Sequence, residues 1–224
     1  MTFVYNPPVS PWLDIIYQDD DIAVLNKPSG LLSVPGRQLI HRDSLTLRLM
    51  RVLPTALVVH RLDMDTSGLM LFALNKAAQS HISRQFQQRT TEKKYLARVL
   101  GHPEQSSGSV DLPLICDWPN RPLQMVDHEN GKPSLTHWQI LSKEENSTLV
   151  ELTPVTGRSH QLRVHMQQIG HPILGDDFYG RPDALPMSPR LDLHALTLTI
   201  EHPSTEERIT FTAPSPFEPR VSLT

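Results

Sequence analysis

The stretch His60-Arg61-Leu62-Asp63-Met64-Asp65-Thr66-Ser67-Gly68 runs directly into the apolar segment Leu69-Met70-Leu71-Phe72-Ala73-Leu74. A short apolar run entered through Thr, Ser and Gly reads as a buried strand. The residues before it place a carboxylate, Asp63, at the mouth of that strand, two positions after Arg61. An acid ringed by His, Arg, Thr and Ser is poor material for a core and good material for a site. Taken alone, the pattern leaves several readings open. Asp63 and Asp65 fit a metal-binding Asp-x-Asp as in metal-dependent glycosyltransferases, the paired carboxylates of a glycosidase, or a turn capped together with Thr66 and Ser67.

Outward from this stretch, strand signals dominate. Residues 12–17 and 21–26 read as a hairpin turning at Asp19-Asp20, followed by the loop Lys27-Pro28-Ser29-Gly30, which continues to Pro35-Gly36. Ser44 caps a helix whose Leu45, Leu49, Val52 and Leu53 keep helical spacing until Pro54. Asn75 caps another, with Ala78, Ile82 and Phe86 on one face. A strand at 93–100 puts Lys93, Tyr95, Ala97 and Val99 on one side. Residues 101–133 read as irregular and rich in proline. Strands near 134–141 and 147–153 lead to a third helix capped by Ser159, with Leu162, Met166 and Ile169 as its apolar stripe and Gly170 as its stop. Strands at about 193–200 and 208–212 come last. Strands outnumber helices and do not alternate with them regularly, so the fold class is α+β. The 20 prolines among 224 residues point to many rigid connections within a single compact domain.

Bulk properties narrow the function classes. No apolar run approaches the ~18 residues of a membrane span, and the N-terminus lacks the basic-then-apolar layout of a secretory signal. The one cysteine, Cys116, cannot form an internal disulfide, which agrees with a reducing cytoplasm. A net charge of −3 argues against a uniformly basic surface. Charge is nonetheless segregated. Arg37, Arg42, Arg48, Arg51 and Arg61 share their stretch with one acid, Asp43, and Arg84, Arg89, Lys93, Lys94 and Arg98 share theirs with Glu92. Such segregation fits a basic groove for phosphates, or two ordinary solvated faces.

The remaining motif is Gly157-Arg158-Ser159-His160-Gln161-Leu162-Arg163. A helix starting near Ser159 would project His160, Arg163 and Gln167 to one side and pack Leu162 and Met166 inward. A helix N-terminus presenting His and Arg suits anions, either phosphates or a carboxylate such as Asp63. An arginine beside that acid would keep it ionised and able to act as nucleophile or base. No phosphate-cradling glycine loop, Gly-x-Ser-x-Gly elbow or His-Glu-x-x-His zinc motif is present, so the residues offer no recognisable nucleotide loop, serine-hydrolase elbow or histidine zinc site.

Together these pieces resemble the RluA-type pseudouridine synthase family. The resemblance rests on His60-Arg61-Leu62-Asp63-x-x-Thr66-Ser67-Gly68 and on three further motifs in the family's order. These are Lys27-Pro28-Ser29-Gly30-Leu31, Lys94-Tyr95-Leu96-Ala97-Arg98-Val99-Leu100-Gly101 and Gly157-Arg158-Ser159-His160-Gln161-Leu162-Arg163-Val164-His165. The stretches His171-Pro172-Ile173-Leu174-Gly175-Asp176, Leu193-His194-Ala195 and Pro113-Leu114-Ile115-Cys116-Asp117-Trp118-Pro119-Asn120-Arg121-Pro122 also fit. The resemblance covers about residues 12–213.

It implies one catalytic domain over 1–224, built on a mixed, mainly antiparallel β-sheet flanked by helices and loops, without an S4 RNA-binding domain. It implies isomerisation of uridine to pseudouridine in RNA without cofactor or metal. The expected substrates are 23S rRNA and tRNA stem-loops, acted on by a cytoplasmic monomer without a membrane partner. In that reading Asp63 is the nucleophile, Arg163 its ion-pair partner, and Tyr95 stacks on the flipped base and can handle the C5 proton. Arg61 fills the gap left in the RNA stack. His60, Arg158, His160 and Lys27 complete the RNA-binding set, with Lys27 also a candidate for site structure. Asp65 has no catalytic part.

Overall fold

The computed structural model describes residues 4–217. Along the chain run β1 (Ile15–Gln18), β2 (Ile22–Lys27), α1 (Leu45–Met50), β3 (Leu57–Val58), β4 (Ser67–Ala73), α2 (Lys76–Gln88), β5 (Glu92–Leu100) and β6 (Ser107–Asp111). They are followed by β7 (Leu114–Cys116), β8 (Gln124–Val126), β9 (Leu135–Lys143), β10 (Ser147–Pro154), α3 (Gln161–Gln168), β11 (Leu193–Glu201) and β12 (Arg208–Thr212). Two compact units result. The first takes residues 4–92 and 195–214, the second 93–194 and 215–217.

In the first unit, Asp19 Oδ1 accepts from the amides of Asp21 and Ile22 and closes the β1–β2 hairpin where the sequence places it. β2 runs antiparallel to β4, with Ala23 opposite Phe72 and Lys27 opposite Gly68. β11 lies next to β4 and pairs antiparallel with β12, while β3 pairs with the far end of β4. All seven residues of β4 are buried. The cause is that both faces are covered: Leu69 and Leu71 pack with Ile22, Val24, Ile82 and Phe211, and Met70 and Phe72 with Ala23, Leu25, Leu45 and Leu49. A strand covered on both faces has no alternation to show, hence the unbroken apolar run. Gly68 begins this strand at φ +107, and a Cβ there would overlap the backbone of Ala195 on β11. Only glycine permits that approach.

The expected caps are present. Ser44 Oγ accepts from the Leu47 amide and Asn75 Oδ1 from the Ala78 amide. α1 stops at Met50, three residues short of the apolar pattern's end. The amides of Arg51 and Val52 turn to the carbonyls of Arg48 and Leu49, so the last turn tightens ahead of Pro54.

In the second unit the antiparallel order is β5-β10-β9-β6. Ala97, Val99, Val150, Leu152 and Trp138 meet Leu162 and Met166 of α3 in one core, with Tyr95 packed at its margin. Residues 101–133, read as irregular, in fact hold β6 and an antiparallel β7–β8 ribbon. β6 has one buried residue, Val110, and lies at the end of its sheet, so no hydrophobic period announces it. A second correction concerns α3. Ser159 does not cap it; the N-cap position falls on His160, in the left-handed region at φ 52 and without a side-chain cap. The helix is also not amphipathic in the expected sense, because Gln161 through Met166 are all buried, Arg163 included.

Candidate active site

Asp63 lies in the connection between β3 and β4, and that connection is gripped by the loop after β2. Ser33 Oγ donates to the Leu62 carbonyl at 2.6 Å and accepts from the Leu62 amide at 3.1 Å. Beyond Asp63, the Met64 carbonyl accepts from Lys27 Nζ at 2.7 Å and from the Gly30 amide at 3.0 Å. Ser29 Oγ donates to the Asp65 carbonyl at 2.7 Å. The backbone is thus fixed immediately before and after Asp63, while the Asp63 side chain itself is half-buried. The anchor of the grip is Lys27. It is fully buried, and its ammonium also donates to the carbonyls of Pro28 and Leu31 at 2.9 and 2.8 Å. A buried ammonium is stable only when its protons are met in this way. Direct contact of Lys27 with RNA is therefore a correction to make: its place is inside the loops that shape the site.

His60 also has structural work. β3 stops pairing at Val58, and the next free amide along β4, Leu71, donates instead to His60 Nε2 at 2.9 Å. That bond puts the ring proton on Nδ1. The imidazole stacks on Phe86 of α2 at 4.7 Å between centroids. Arg61, by contrast, is exposed and makes no hydrogen bond or ion pair among the described residues.

The second unit holds Tyr95, Arg158, His160 and Arg163. Arg163 is buried and grips the equally buried Asp176 with two parallel bonds, Nε to Oδ2 at 2.8 Å and Nη2 to Oδ1 at 2.6 Å. Nη2 also meets Asp177 at 3.2 Å. Amides of Phe178 and Tyr179 donate to Asp176 Oδ1, and both rings lie against the guanidinium, 4.9 and 5.3 Å from their centroids. A planar, delocalised cation suits such a sandwich better than lysine would. The Tyr179 hydroxyl accepts the Gln124 amide proton and bonds His160 Nδ1 at 2.7 Å. Arg158 is half-exposed, with Nε donating to the Pro133 carbonyl at 3.4 Å.

Gln161 organises the turn ahead of this helix. Its Oε1 accepts from Thr156 Oγ1 and the Arg158 amide, and its Nε2 donates to the Leu135 carbonyl and Thr136 Oγ1. His165 continues the chain of bonds. Its Nε2 donates to the Leu112 carbonyl at 3.1 Å, which leaves Nδ1 to accept from Thr136 Oγ1 at 3.0 Å. Burial pushes the His165 imidazole below its ordinary pKa, against smaller raising effects from the Leu112 carbonyl and Asp111.

Sequence reasoning missed Ser33, Gln161 and Asp176 as organising residues. Asp176 had the clearest signal, an acid right after Gly175, whose φ is +67. The charge reading also needs correction. Arg48 is buried in a bidentate pair with Asp43, and Arg98 is buried against Glu144, so neither lines a groove. Arg37, Arg42, Arg51, Arg61, Arg84 and Arg89 remain exposed. Among the described residues no cluster of three or more His, Cys, Asp or Glu side chains is arranged to hold a metal, and no helix is long and apolar enough to cross a membrane.

The chain matches the RNA pseudouridylate synthase family model over residues 21–168, a span that runs through both units. It is 58% identical over 214 residues to the dual-specificity RNA pseudouridine synthase RluA of Escherichia coli (strain K12), covering 95% of this chain and 98% of that protein. The protein of the same name from Vibrio parahaemolyticus is 56% identical over 222 residues, with 97% and 89% covered. Among solved structures, human RNA pseudouridylate synthase domain containing 1 superposes with a TM-score of 0.79 at 32% identity, over 98% of this chain and 87% of that one. Its domain containing 4 counterpart gives 0.73 at 28% identity, over 91% and 88%. With its antiparallel fold and its Asp63 loop in place, this chain belongs to the RNA pseudouridylate synthase family and is an RNA pseudouridine synthase.

Proposed function

We propose that this enzyme converts specific uridines of 23S rRNA and of a tRNA anticodon stem-loop to pseudouridine, with Asp63 as the nucleophile and without a cofactor. The observation that carries the reading is the grip on Asp63: Ser33 on one side, Lys27 and Gly30 on the other, with the carboxylate-bearing side chain left half-exposed. A backbone fixed at both neighbours supplies the positioning that a covalent step requires. The isomerisation breaks the N1–C1′ bond, turns the uracil, and forms the C5–C1′ bond. C5 gives up its proton, N1 takes one, and no atom is gained or lost overall.

Chemistry at a glycosidic bond requires the base to leave its stack, at a cost of a few kcal/mol. Arg61, exposed and without a partner among the described residues, is suited to fill the gap and meet phosphate. Tyr95 stacks on the flipped uracil and handles the C5 proton. Arg163 orients Asp63, and Arg158 and His160 contact the RNA. Loops surrender a base more readily than duplexes do, which favours stem-loop targets. The name dual-specificity RluA borne by relatives at 56–58% identity supports two RNA substrates. We read the enzyme as a cytoplasmic monomer acting through both units as one catalytic domain.

The test is tritium release from [5-³H]uridine-labelled 23S rRNA fragments and anticodon stem-loops, in excess chelator. Release from both RNAs is expected. No release from either would overturn the reading, and release that requires a divalent ion would favour a metal-dependent glycosyl transfer on Asp63 and Asp65.

A further inference from the structure

The β7–β8 ribbon ends in a seven-residue tip, Asp117 to Leu123, that the reaction described above does not use. At this tip Trp118 is 65% exposed, a large indole left in water. The Arg121 guanidinium lies 4.7 Å from the centroid of its ring. We propose that Trp118 and Arg121 form a second RNA contact, in which the indole stacks on an unpaired loop base other than the reacting uridine and Arg121 meets an adjacent phosphate. The inference rests on the RNA-substrate reading and extends it to a site on another element.

Three features make the tip a platform rather than a loose loop. First, it is braced internally. The Asp117 amide donates to the Leu123 carbonyl at 2.9 Å, the Asn120 amide to the Asp117 carbonyl at 3.1 Å, and the Leu123 amide to the Asn120 carbonyl at 3.1 Å. Asn120 Nδ2 donates to Asp117 Oδ2 at 2.9 Å, which occupies the one carboxylate of the tip. A preformed surface loses little entropy on binding.

Second, the ribbon is anchored to the α3 network at both ends. The Gln124 amide donates to the Tyr179 hydroxyl, which bonds His160, and the Leu112 carbonyl ahead of β7 accepts from His165. The tip therefore keeps a fixed position relative to the helix that carries Arg163. Third, its chemistry suits unpaired nucleotides. Aromatic faces accept any base, and an arginine beside one supplies both stacking and phosphate contact.

The experiment compares the wild-type enzyme with Trp118→Ala, Trp118→Phe and Arg121→Ala, using a synthetic tRNA anticodon stem-loop. Affinity is read by fluorescence anisotropy over a salt series, and rate by single-turnover pseudouridine formation at saturating RNA. Trp118→Ala is expected to weaken binding roughly tenfold or more while the saturated rate falls far less. Trp118→Phe is expected to restore most of the affinity, and Arg121→Ala to lower the salt slope by about one. 5-Iodouridine placed in the loop away from the target is expected to crosslink to the Trp118 peptide on irradiation. Unchanged affinity in Trp118→Ala, or a loss confined to the saturated rate, overturns the proposal and leaves the tip to a protein partner. The two readings fail separately, since a wild-type enzyme that forms no pseudouridine would sink the function, whereas the affinity ratio judges Trp118 alone.

Discussion

Asp63 and Arg163 belong to different units and sit in different surroundings. Around Asp63 the backbone of its neighbours is held at Leu62, Met64 and Asp65, and the half-exposed side chain extends from a fixed frame. Arg163 is fixed through its own guanidinium, by two bonds to Asp176 and by the rings of Phe178 and Tyr179, in full burial. The first arrangement suits a group that must form and break a bond, because the backbone on either side of it is fixed by its neighbours' own bonds. The second suits a group whose charge must stay in one place. The contrast makes opposite demands on substitution: Arg163 should matter to folding, and Asp63 should not.

The largest effect on stability is therefore expected from Arg163→Met. Asp176 would remain buried without its cation, at a cost of about 3–5 kcal/mol, read as a lower urea midpoint. Activity should fall with it, and a variant as stable as the wild type would refute the claim that Arg163 is what makes the burial of Asp176 tolerable. Next comes Ser33→Ala, which strips the Leu62 amide and carbonyl of their buried partner. Urea titration should show a loss of about 1–3 kcal/mol, and turnover should fall further than RNA affinity as the frame around Asp63 loosens. An unchanged rate would mean that the grip does not set the position of Asp63.

The smallest effect concerns pH. His165 is fully buried and held neutral, with its pKa pushed below the ordinary ~6.5 by desolvation. The unfolded chain takes up a proton as pH falls through about 6.5, before the native state does, so this group's stabilisation is present above that value. It is lost progressively as pH drops toward the lower native pKa. His165→Gln should flatten the stability–pH slope in that window, and an unaltered slope would place the acid sensitivity elsewhere.

Much of this molecule is legible in its sequence, for local reasons. Asp19, Ser44 and Asn75 make bonds to amides two or three residues on, so their turns and caps could be read from spacing alone. β4 could be read because a strand covered on both faces is apolar throughout. What escaped depends on burial, on edge position or on partners far away in the chain. Arg163 looked like one side of an amphipathic helix because Asp176 stands 13 residues on, and Arg48 looked like groove lining because its pairing with Asp43 is a fact of burial. Ser33 reaches Leu62 across 29 residues, beyond any local rule. β6 was invisible because an edge strand with one buried side chain has no period. Trp118 stood in a motif already noted, yet only the fold shows the indole exposed beneath an arginine.

The central claim, that Asp63 is a reactive group positioned by the grip on its neighbours, is tested most directly by Asp63→Asn. The measurement pairs anticodon stem-loop affinity with single-turnover pseudouridine formation on the same preparation. The account predicts wild-type melting temperature and RNA affinity with product formation reduced at least about a thousandfold. Turnover within tenfold of the wild type, or a chain that no longer folds, would contradict it.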